Sequence, residues 1–250
     1  MTIRAVIFDL GHTLWDIGSV RELLPSTYAA MRSLLVERLR RDDLPQAAAF
    51  QRAMAEVLQA YSADLGRLDE PPPYTWVDAA CRKLDLTLDE PLLREVTPPL
   101  FAMEIDHLVC GEGTLEAEQA LADEGYALGC VTNTLADQGA IGAMLRKHGF
   151  EPLMRSVVVS SAEGWRKPHP ALFEKALREL SVSAGEALFV GDSPFHDIAG
   201  AQRAGLRAVL TRQYASRPLD GTGIVPDAII GHLSELRDVL ARMQRDGSAS

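Results

Sequence analysis

The chain has 250 residues, of which 47% are hydrophobic and 24% are charged, a composition typical of a globular protein. Its formal net charge is −10, and lysine and arginine form no cluster along the sequence. Nucleic acids and anionic membrane surfaces are bound through clustered positive charge, so this balance argues against both kinds of partner. An anionic substrate would need a local positive site.

The sequence also favours a cytoplasmic location. The N-terminal segment, MTIRAVIFDLG, has too short an apolar run for a signal peptide, and no stretch approaches the roughly 18 apolar residues of a membrane span. The three cysteines, Cys81, Cys110 and Cys130, are odd in number and lie far apart, without the spacing of metal ligands. We therefore expect reduced thiols.

The first predicted strand covers residues 4–9, RAVIFD, and ends on a carboxylate. After Asp9 the chain contains a glycine, a histidine and a threonine before apolar character returns at Leu14. This pattern predicts a buried strand that ends in a tight turn. Gly11 stands two residues after the carboxylate and has no side chain, which raises the question of what that position does.

Residues 17–107 contain helical patterns and no strand pattern. Apolar residues recur at helical spacing in three segments, residues 28–39, 47–61 and 76–84. They predict an all-helical insertion after the first strand, with methionine and aromatic side chains packed between helices.

From about residue 108 onward, short apolar runs alternate with amphipathic segments. This alternation predicts an α/β fold, in which a parallel sheet is covered by helices on both faces. The predicted strands are residues 126–131, 156–160, 187–190, 207–210 and 227–230, and the predicted helices are residues 115–125, 135–149, 169–180, 197–205 and 233–243.

Polar side chains follow several of these strands. In open parallel sheets, ligands bind beyond the carboxyl ends of the strands, so we expect these side chains to meet at one rim of the sheet. In chain order they are Asp9, Thr132, Asn133, Lys167, Asp192 and Asp197.

The chemistry of these side chains suits a phosphate group and a divalent cation. Three carboxylates in one place repel one another unless a cation binds, and an all-oxygen set of ligands suits Mg²⁺. Thr132 and Asn133, which we expect to open the next helix, offer donors beside a helix N-terminus. Lys167 adds positive charge for a phosphate or a crowded carboxylate. Asp9 is then a candidate nucleophile that forms an acyl phosphate.

The sequence resembles the haloacid dehalogenase-like hydrolase superfamily, most of whose members are magnesium-dependent phosphatases. Four motifs carry the resemblance, in the family's order and over essentially the whole chain: FDLGHTLWD, GCVTNT, WRKPHPALF and FVGDSPFHDIAGAQRAG. The resemblance implies a Rossmann-like core made of residues 1–16 and 108–250, with a helical cap domain at residues 17–107. A cap over the rim implies a hydrolase that acts on a small phosphorylated metabolite.

The resemblance also implies roles for the residues at the rim. Asp9 is implied to be the nucleophile and a metal ligand, and Asp192 a second ligand of Mg²⁺. The backbone carbonyl of Gly11 is implied to complete the ligand set, and Asp197 to support the metal from nearby. The residues implied to hold the phosphoryl group are Thr132, Asn133 and Lys167, of which Lys167 also steadies the nucleophile.

The chain departs from the family pattern at Gly11 and His12. Family phosphatases usually have a second Asp followed by Gly there, and that Asp protonates the leaving oxygen and later activates water. Its loss removes general acid–base catalysis, typically worth about 10²–10⁴ in rate, so we expect turnover to favour acyl and aryl phosphates. The imidazole of His12 has a suitable pKa for the lost role. Adjacent side chains seldom point the same way, however, and the alternative is that His12 only occupies the turn.

Two other functions are open on the same residues. A 2-haloacid dehalogenase also uses a nucleophilic Asp and lacks the second Asp, but it needs no metal and generally lacks the carboxylate found at Asp192. A weakly active or inactive phosphate-binding regulatory protein is favoured only by Gly11. Fold alone does not decide between these functions. The sequence carries no signal for an oligomeric state.

Overall fold

A computed structural model describes residues 2–17, 24–62 and 66–248 of the chain. Its strands are β1 (Ala5–Phe8), β2 (Trp15–Ile17), β3 (Leu108–Cys110), β4 (Ala127–Thr132), β5 (Met154–Val159), β6 (Ala187–Gly191), β7 (Arg207–Thr211) and β8 (Ala228–Ile230). Six of them form a sheet in the order β5-β4-β1-β6-β7-β8, and all the pairings are parallel. The predicted α/β fold is confirmed.

Helices pack against both faces of this sheet, and other helices share a separate hydrophobic cluster. The helices are α1 (Leu24–Leu39), α2 (Ala47–Ser62), α3 (Pro73–Arg82), α4 (Glu90–Val96), α5 (Pro99–His107), α6 (Thr114–Asp123), α7 (Gln138–Lys147), α8 (Ser160–Glu163), α9 (Pro170–Leu180), α10 (Ala199–Arg203) and α11 (Leu236–Ser248). A π-helical turn, Pro194–Ile198, precedes α10.

Strand β1 lies inside the sheet and is buried on both faces. Val6 and Phe8 pack into the hydrophobic cluster that includes side chains of α6, α7 and α11, whereas Ala5 and Ile7 pack into the cluster that includes α9 and α10. A strand between two apolar layers needs apolar residues at every position, which explains the unbroken run before Asp9.

Residues 24–107, called the helical region below, contain α1 to α5 and have a hydrophobic cluster of their own. Its most buried members include Met31, Leu35, Phe50 and Cys81. The sequence predicts α1, α2 and α3 but not α4 and α5. These two helices have only seven and nine residues, shorter than the window in which helical periodicity is visible.

A two-stranded antiparallel ribbon connects the sheet to the helical region, and the sequence does not predict it. Strand β2 pairs with β3, so that Trp15 lies opposite Cys110 and Ile17 opposite Leu108. Each strand has three residues, too few to show alternation. The chain enters the helical region through β2 and leaves it through β3, so the two crossings lie side by side.

The cysteines Cys81, Cys110 and Cys130 are free thiols. Burial raises the pKa of each of them, so all three are protonated at neutral pH. Among the described residues, no helix has the length and apolar character needed to cross a bilayer.

Glu118, on α6, is a buried acid that we predict to make stability depend on pH. It is 1% exposed, and none of the described residues hydrogen-bonds to its carboxyl oxygens. Burial raises its pKa well above the ordinary 4.5, so the folded protein keeps it neutral. The unfolded chain releases this proton above that ordinary value. The free energy of unfolding therefore falls as the pH rises from there towards the folded-state pKa.

Replacing Glu118 with glutamine is expected to remove this pH dependence. The variant should be more stable than the wild type at pH 8 and almost equal to it at pH 4, because only the ionised acid of the unfolded chain favours unfolding. Urea unfolding between these pH values measures the slope, and Glu116→Gln, at an exposed position of the same helix, is the matched control. Parallel pH profiles for wild type and Glu118→Gln would mean that Glu118 ionises equally in both states.

Candidate active site

The carboxyl ends of three neighbouring strands bring predicted site residues together. Strand β1 has β4 on one side and β6 on the other, which makes its carboxyl end a switch point of the sheet. Asp9 follows β1, Thr132 ends β4, and Asp192 follows β6. Their side chains therefore meet at one rim, as the order of the motifs predicts.

A cleft of about 250 Å³ opens at this rim. All the predicted site residues line it: Asp9, Gly11, His12, Thr132, Asn133, Lys167, Asp192 and Asp197. Four more side chains complete the lining, namely Arg166, Ser193, His196 and Arg217.

Three buried carboxylates form the charged centre of the cleft. Asp9, Asp192 and Asp197 each present one carboxylate oxygen within 4.8 Å of the other two. The ammonium of Lys167 lies 2.6 Å from Asp9 Oδ1 and 2.7 Å from Asp197 Oδ1. Arg217 Nε, on a half-exposed side chain, lies 2.6 Å from Asp192 Oδ2. Buried charges need partners, and this all-oxygen, net acidic set fits a divalent cation such as Mg²⁺.

The electrostatic balance of the centre depends on positive charge. Burial raises the pKa of Asp9 to about 7, although the neighbouring ammonium of Lys167 acts in the opposite direction. Burial alone would lower the pKa of Lys167, but the carboxylates of Asp197 and Asp9 raise it above its ordinary value. Further positive charge beside Asp9 would therefore favour its ionised, nucleophilic form at neutral pH.

Gly191 allows Asp197 to approach the centre. A Cβ at position 191 would lie 2.5 Å from Asp197 Cγ, closer than any real contact. Asp197 lies in the π-helical turn, where its Oδ2 accepts a hydrogen bond of 2.8 Å from the backbone N–H of Ser193. Gly191, the first of the three glycines in the fourth motif, is thus required by the packing of Asp197 against the end of β6.

Asn133 supports Lys167 instead of pointing its amide at a phosphate. Its Oδ1 accepts a hydrogen bond of 2.7 Å from the backbone N–H of Lys167, and its Nδ2 donates one of 3.0 Å to the Lys167 carbonyl. The amide oxygen and one of the two N–H donors of the side chain are therefore engaged by the backbone of Lys167.

The prediction that Thr132 and Asn133 open a helix is wrong. Helix α7 begins only at Gln138, because Asp137 caps it by accepting a hydrogen bond of 2.8 Å from the backbone N–H of Ala140. Thr132 therefore lies at the end of a strand and Asn133 in the following loop.

The turn after Asp9 explains the unusual residues there. His12 has φ of 58°, in the left-handed region that favours glycine, and its backbone N–H donates to Trp15 O at 2.7 Å. Its side chain borders the cleft, with Nδ1 2.9 Å from Asp16 Oδ1. At Gly11, an added Cβ would meet no described heavy atom within 4 Å. The absent side chain thus leaves open space at the cleft.

Two arginines of the cleft are not predicted from the sequence. Arg166 directly precedes Lys167 inside the WRKPHP motif. Its position next to a predicted site lysine is the one feature from which the sequence could have predicted it. Arg217 lies in the long loop between β7 and β8, where no motif or periodicity marks it. Only the fold brings it to Asp192.

A family model for haloacid dehalogenase-like hydrolases matches residues 3–205. The chain belongs to this family. Glyceraldehyde 3-phosphate phosphatase of Methanopyrus kandleri is 28% identical to it over 246 residues, which cover 98% of this chain and 100% of the relative. Phosphoglycolate phosphatase of Rhodospirillum rubrum is 31% identical over 253 residues, which cover 98% of this chain and 93% of the relative.

A solved structure shows the same fold. The 2-haloacid dehalogenase of Pseudomonas syringae pv. Tomato DC3000 superposes with a TM-score of 0.65 at 28% identity and covers 97% of this chain and 100% of its own. The resemblance seen in the four motifs is therefore confirmed, and the chain is a hydrolase of the haloacid dehalogenase-like family.

Proposed function

We propose that this hydrolase is a magnesium-dependent phosphatase of small phosphorylated metabolites that forms an aspartyl phosphate on Asp9. The observation that carries the proposal is the convergence of three buried carboxylates and one buried lysine in a single cleft. The phosphatase names of the two relatives support the same reaction.

In this proposal the metal ligands are the carboxylates of Asp9 and Asp192 and the backbone carbonyl of Gly11, with Asp197 in support. When bound, Mg²⁺ supplies positive charge that offsets the negative charge of the phosphoryl group. Arg217 already offsets part of the charge on Asp192 through its ion pair, so we expect it to compete with the cation for that carboxylate.

The residues of the chain then carry two displacement steps. The free carboxylate oxygen of Asp9 attacks phosphorus, an O–P bond forms, and the ester O–P bond breaks as the alcohol leaves. Lys167, the Thr132 hydroxyl and the backbone N–H of Asn133 hold the phosphoryl oxygens. Water next attacks phosphorus, which releases phosphate and restores the carboxylate of Asp9.

The site lacks the usual acid that protonates the leaving group. Gly11 offers no acid, so the proton comes from water or from His12. Because Nδ1 of His12 is paired with Asp16, its Nε2 is the atom available for this role. Acyl and aryl phosphates, whose leaving groups need little protonation, are therefore the expected favoured substrates.

We further propose that residues 17–107 act as a cap domain over a core made of residues 1–16 and 108–250. The support is a contact beside Lys167: the backbone N–H of Arg166 donates to Leu68 O at 2.8 Å, and that of Glu70 donates to Gly164 O at 3.0 Å. A cap in this place restricts the substrate to a small molecule and keeps nucleic acids out. The cytoplasmic location stays a prediction.

A substrate screen with and without metal tests the proposal. Purified protein should hydrolyse p-nitrophenyl phosphate and acetyl phosphate with Mg²⁺, lose the activity in EDTA, and regain it when Mg²⁺ is restored. Chloride release from 2-chloropropionate that survives EDTA would identify a dehalogenase instead. Tight binding of vanadate without turnover of any phosphate ester would identify a phosphate-binding regulatory protein.

A further inference from the structure

A second cleft adjoins the catalytic one beneath the helical region. It encloses about 300 Å³ and shares Asn133 and Arg166 with the catalytic cleft. The remaining lining residues are Leu58, Tyr61, Glu70, Thr134 and Leu135. Because the same two residues border both spaces, the second cleft lies directly beside the catalytic one at Arg166.

The helical region holds the guanidinium of Arg166 in place. Its Nη1 donates a hydrogen bond of 2.7 Å to the Tyr61 hydroxyl, which itself donates one of 2.7 Å to Glu70 Oε1. The guanidinium carbon lies 5.0 Å from the centre of the Tyr61 ring. Glu70 is 2% exposed, and its second oxygen accepts from Ser160 at 3.4 Å. A cation fixed in this way has already lost the conformational freedom that ligand binding would otherwise cost.

Arg166 keeps donor capacity that the described residues do not use. Its Nε is buried without a hydrogen-bond partner among them, and the nearest acid, Glu70 Oε2, lies 3.8 Å away, beyond hydrogen-bond distance. A guanidinium has five N–H donors in a planar fork that fits carboxylate and phosphate oxygens. Among the described residues only the Nη1 donor of this guanidinium makes a hydrogen bond, to the Tyr61 hydroxyl, so Arg166 has further N–H groups for a ligand acceptor in the cleft that it lines.

We propose that Arg166 binds a second anionic group of the substrate, so that the preferred substrate carries a carboxylate or another phosphate besides the phosphate that it loses. This inference rests on the proposed function, because it takes the reacting phosphate to be seated at Lys167. Lys167 then recognises the group that reacts, and Arg166 recognises the group that stays on the product. The pair of cations selects small metabolites that carry a second anionic group over phosphate esters whose remaining part is uncharged.

The test compares ligands that differ only in the second anion. Calorimetry in excess Mg²⁺ measures the binding of 3-phosphoglycerate and of glycerol 3-phosphate, which has a hydroxymethyl group in place of the carboxylate. The pair fructose 1,6-bisphosphate and fructose 6-phosphate asks the same question for a second phosphate. The titrations use the Asp9→Asn background, in which ligands are not consumed, with and without Arg166→Gln.

We expect the ligand with the extra anion to bind at least about 10-fold more tightly in one of the two pairs, and Arg166→Gln to abolish that difference. Affinity for the partner without the extra anion should change less than about threefold. Arg166→Lys keeps the charge and should retain part of the selectivity. Arg67→Gln is the matched control, because it removes another guanidinium whose carbon lies 5.1 Å from the centre of the Tyr61 ring.

Equal binding within both pairs before Arg166 is changed would overturn the inference, and so would equal losses for all four ligands in Arg166→Gln. Failure of the proposed function has a different signature. In that case the wild type does not hydrolyse p-nitrophenyl phosphate with Mg²⁺, whatever the calorimetry shows.

Discussion

Asp9→Asn is expected to lower kcat for p-nitrophenyl phosphate by at least about 10⁴-fold, because the amide cannot form the covalent intermediate. The substitution keeps the size of the side chain. Lys167 also keeps its second partner, Asp197, at 2.7 Å, so the loss is expected in the chemical step and not in folding. KM should change much less than kcat, since Thr132 and Lys167 still bind the phosphoryl group.

Initial rates in excess Mg²⁺ measure this loss, and thermal unfolding checks that the variant folds. Asp238→Asn, at an exposed position of α11, is the matched control and should keep wild-type activity. Borohydride added during wild-type turnover should reduce the aspartyl phosphate to homoserine at position 9, detectable by mass spectrometry of the peptide. Undiminished turnover in Asp9→Asn, or no reduced residue in the wild type, would rule out a nucleophilic Asp9.

Much of the core was predictable because its strands are buried on both faces. A continuous apolar run such as AVIF at residues 5–8 is explained by burial on both faces, and residues that follow such runs are expected at the rim of a parallel sheet. The predicted strands are therefore enough to place Asp9 and Asp192 at the same rim, although the two residues are far apart along the chain.

The features that the sequence does not predict depend on contacts between distant segments. The β2–β3 ribbon joins residues 15–17 to residues 108–110, and neither piece is long enough to show a pattern. The side chain of Asn133 is held by two hydrogen bonds to the backbone of Lys167, 34 residues later in the chain. Arg217 reaches the site from a loop without regular structure. Each of these positions is fixed by tertiary packing and not by local sequence.

Gly11→Asp is expected to raise kcat for glycerol 3-phosphate by about 10²–10³, within the usual range for one general acid–base group. The position can accept the side chain, because an added Cβ meets no described heavy atom within 4 Å and the backbone is outside the left-handed region. The new carboxyl would protonate the leaving alkoxide and then activate water, whereas the backbone carbonyl at position 11 would be unchanged.

A comparison of two leaving groups tests whether the new carboxyl at position 11 acts by proton transfer. p-Nitrophenolate needs little protonation, so the gain for p-nitrophenyl phosphate should be far smaller than the gain for glycerol 3-phosphate. Gly11→Asn fills the same space without a transferable proton and should give no comparable gain. Equal gains in kcat for Gly11→Asn and Gly11→Asp would mean that the added side chain acts through packing. If Gly11→Asp gives no gain in kcat and His12→Gln causes a loss, the proton transfer belongs to His12. A gain confined to Gly11→Asp and to the poor leaving group would mean that the wild-type site is limited by protonation, and that its natural substrate supplies a leaving group that does not need it.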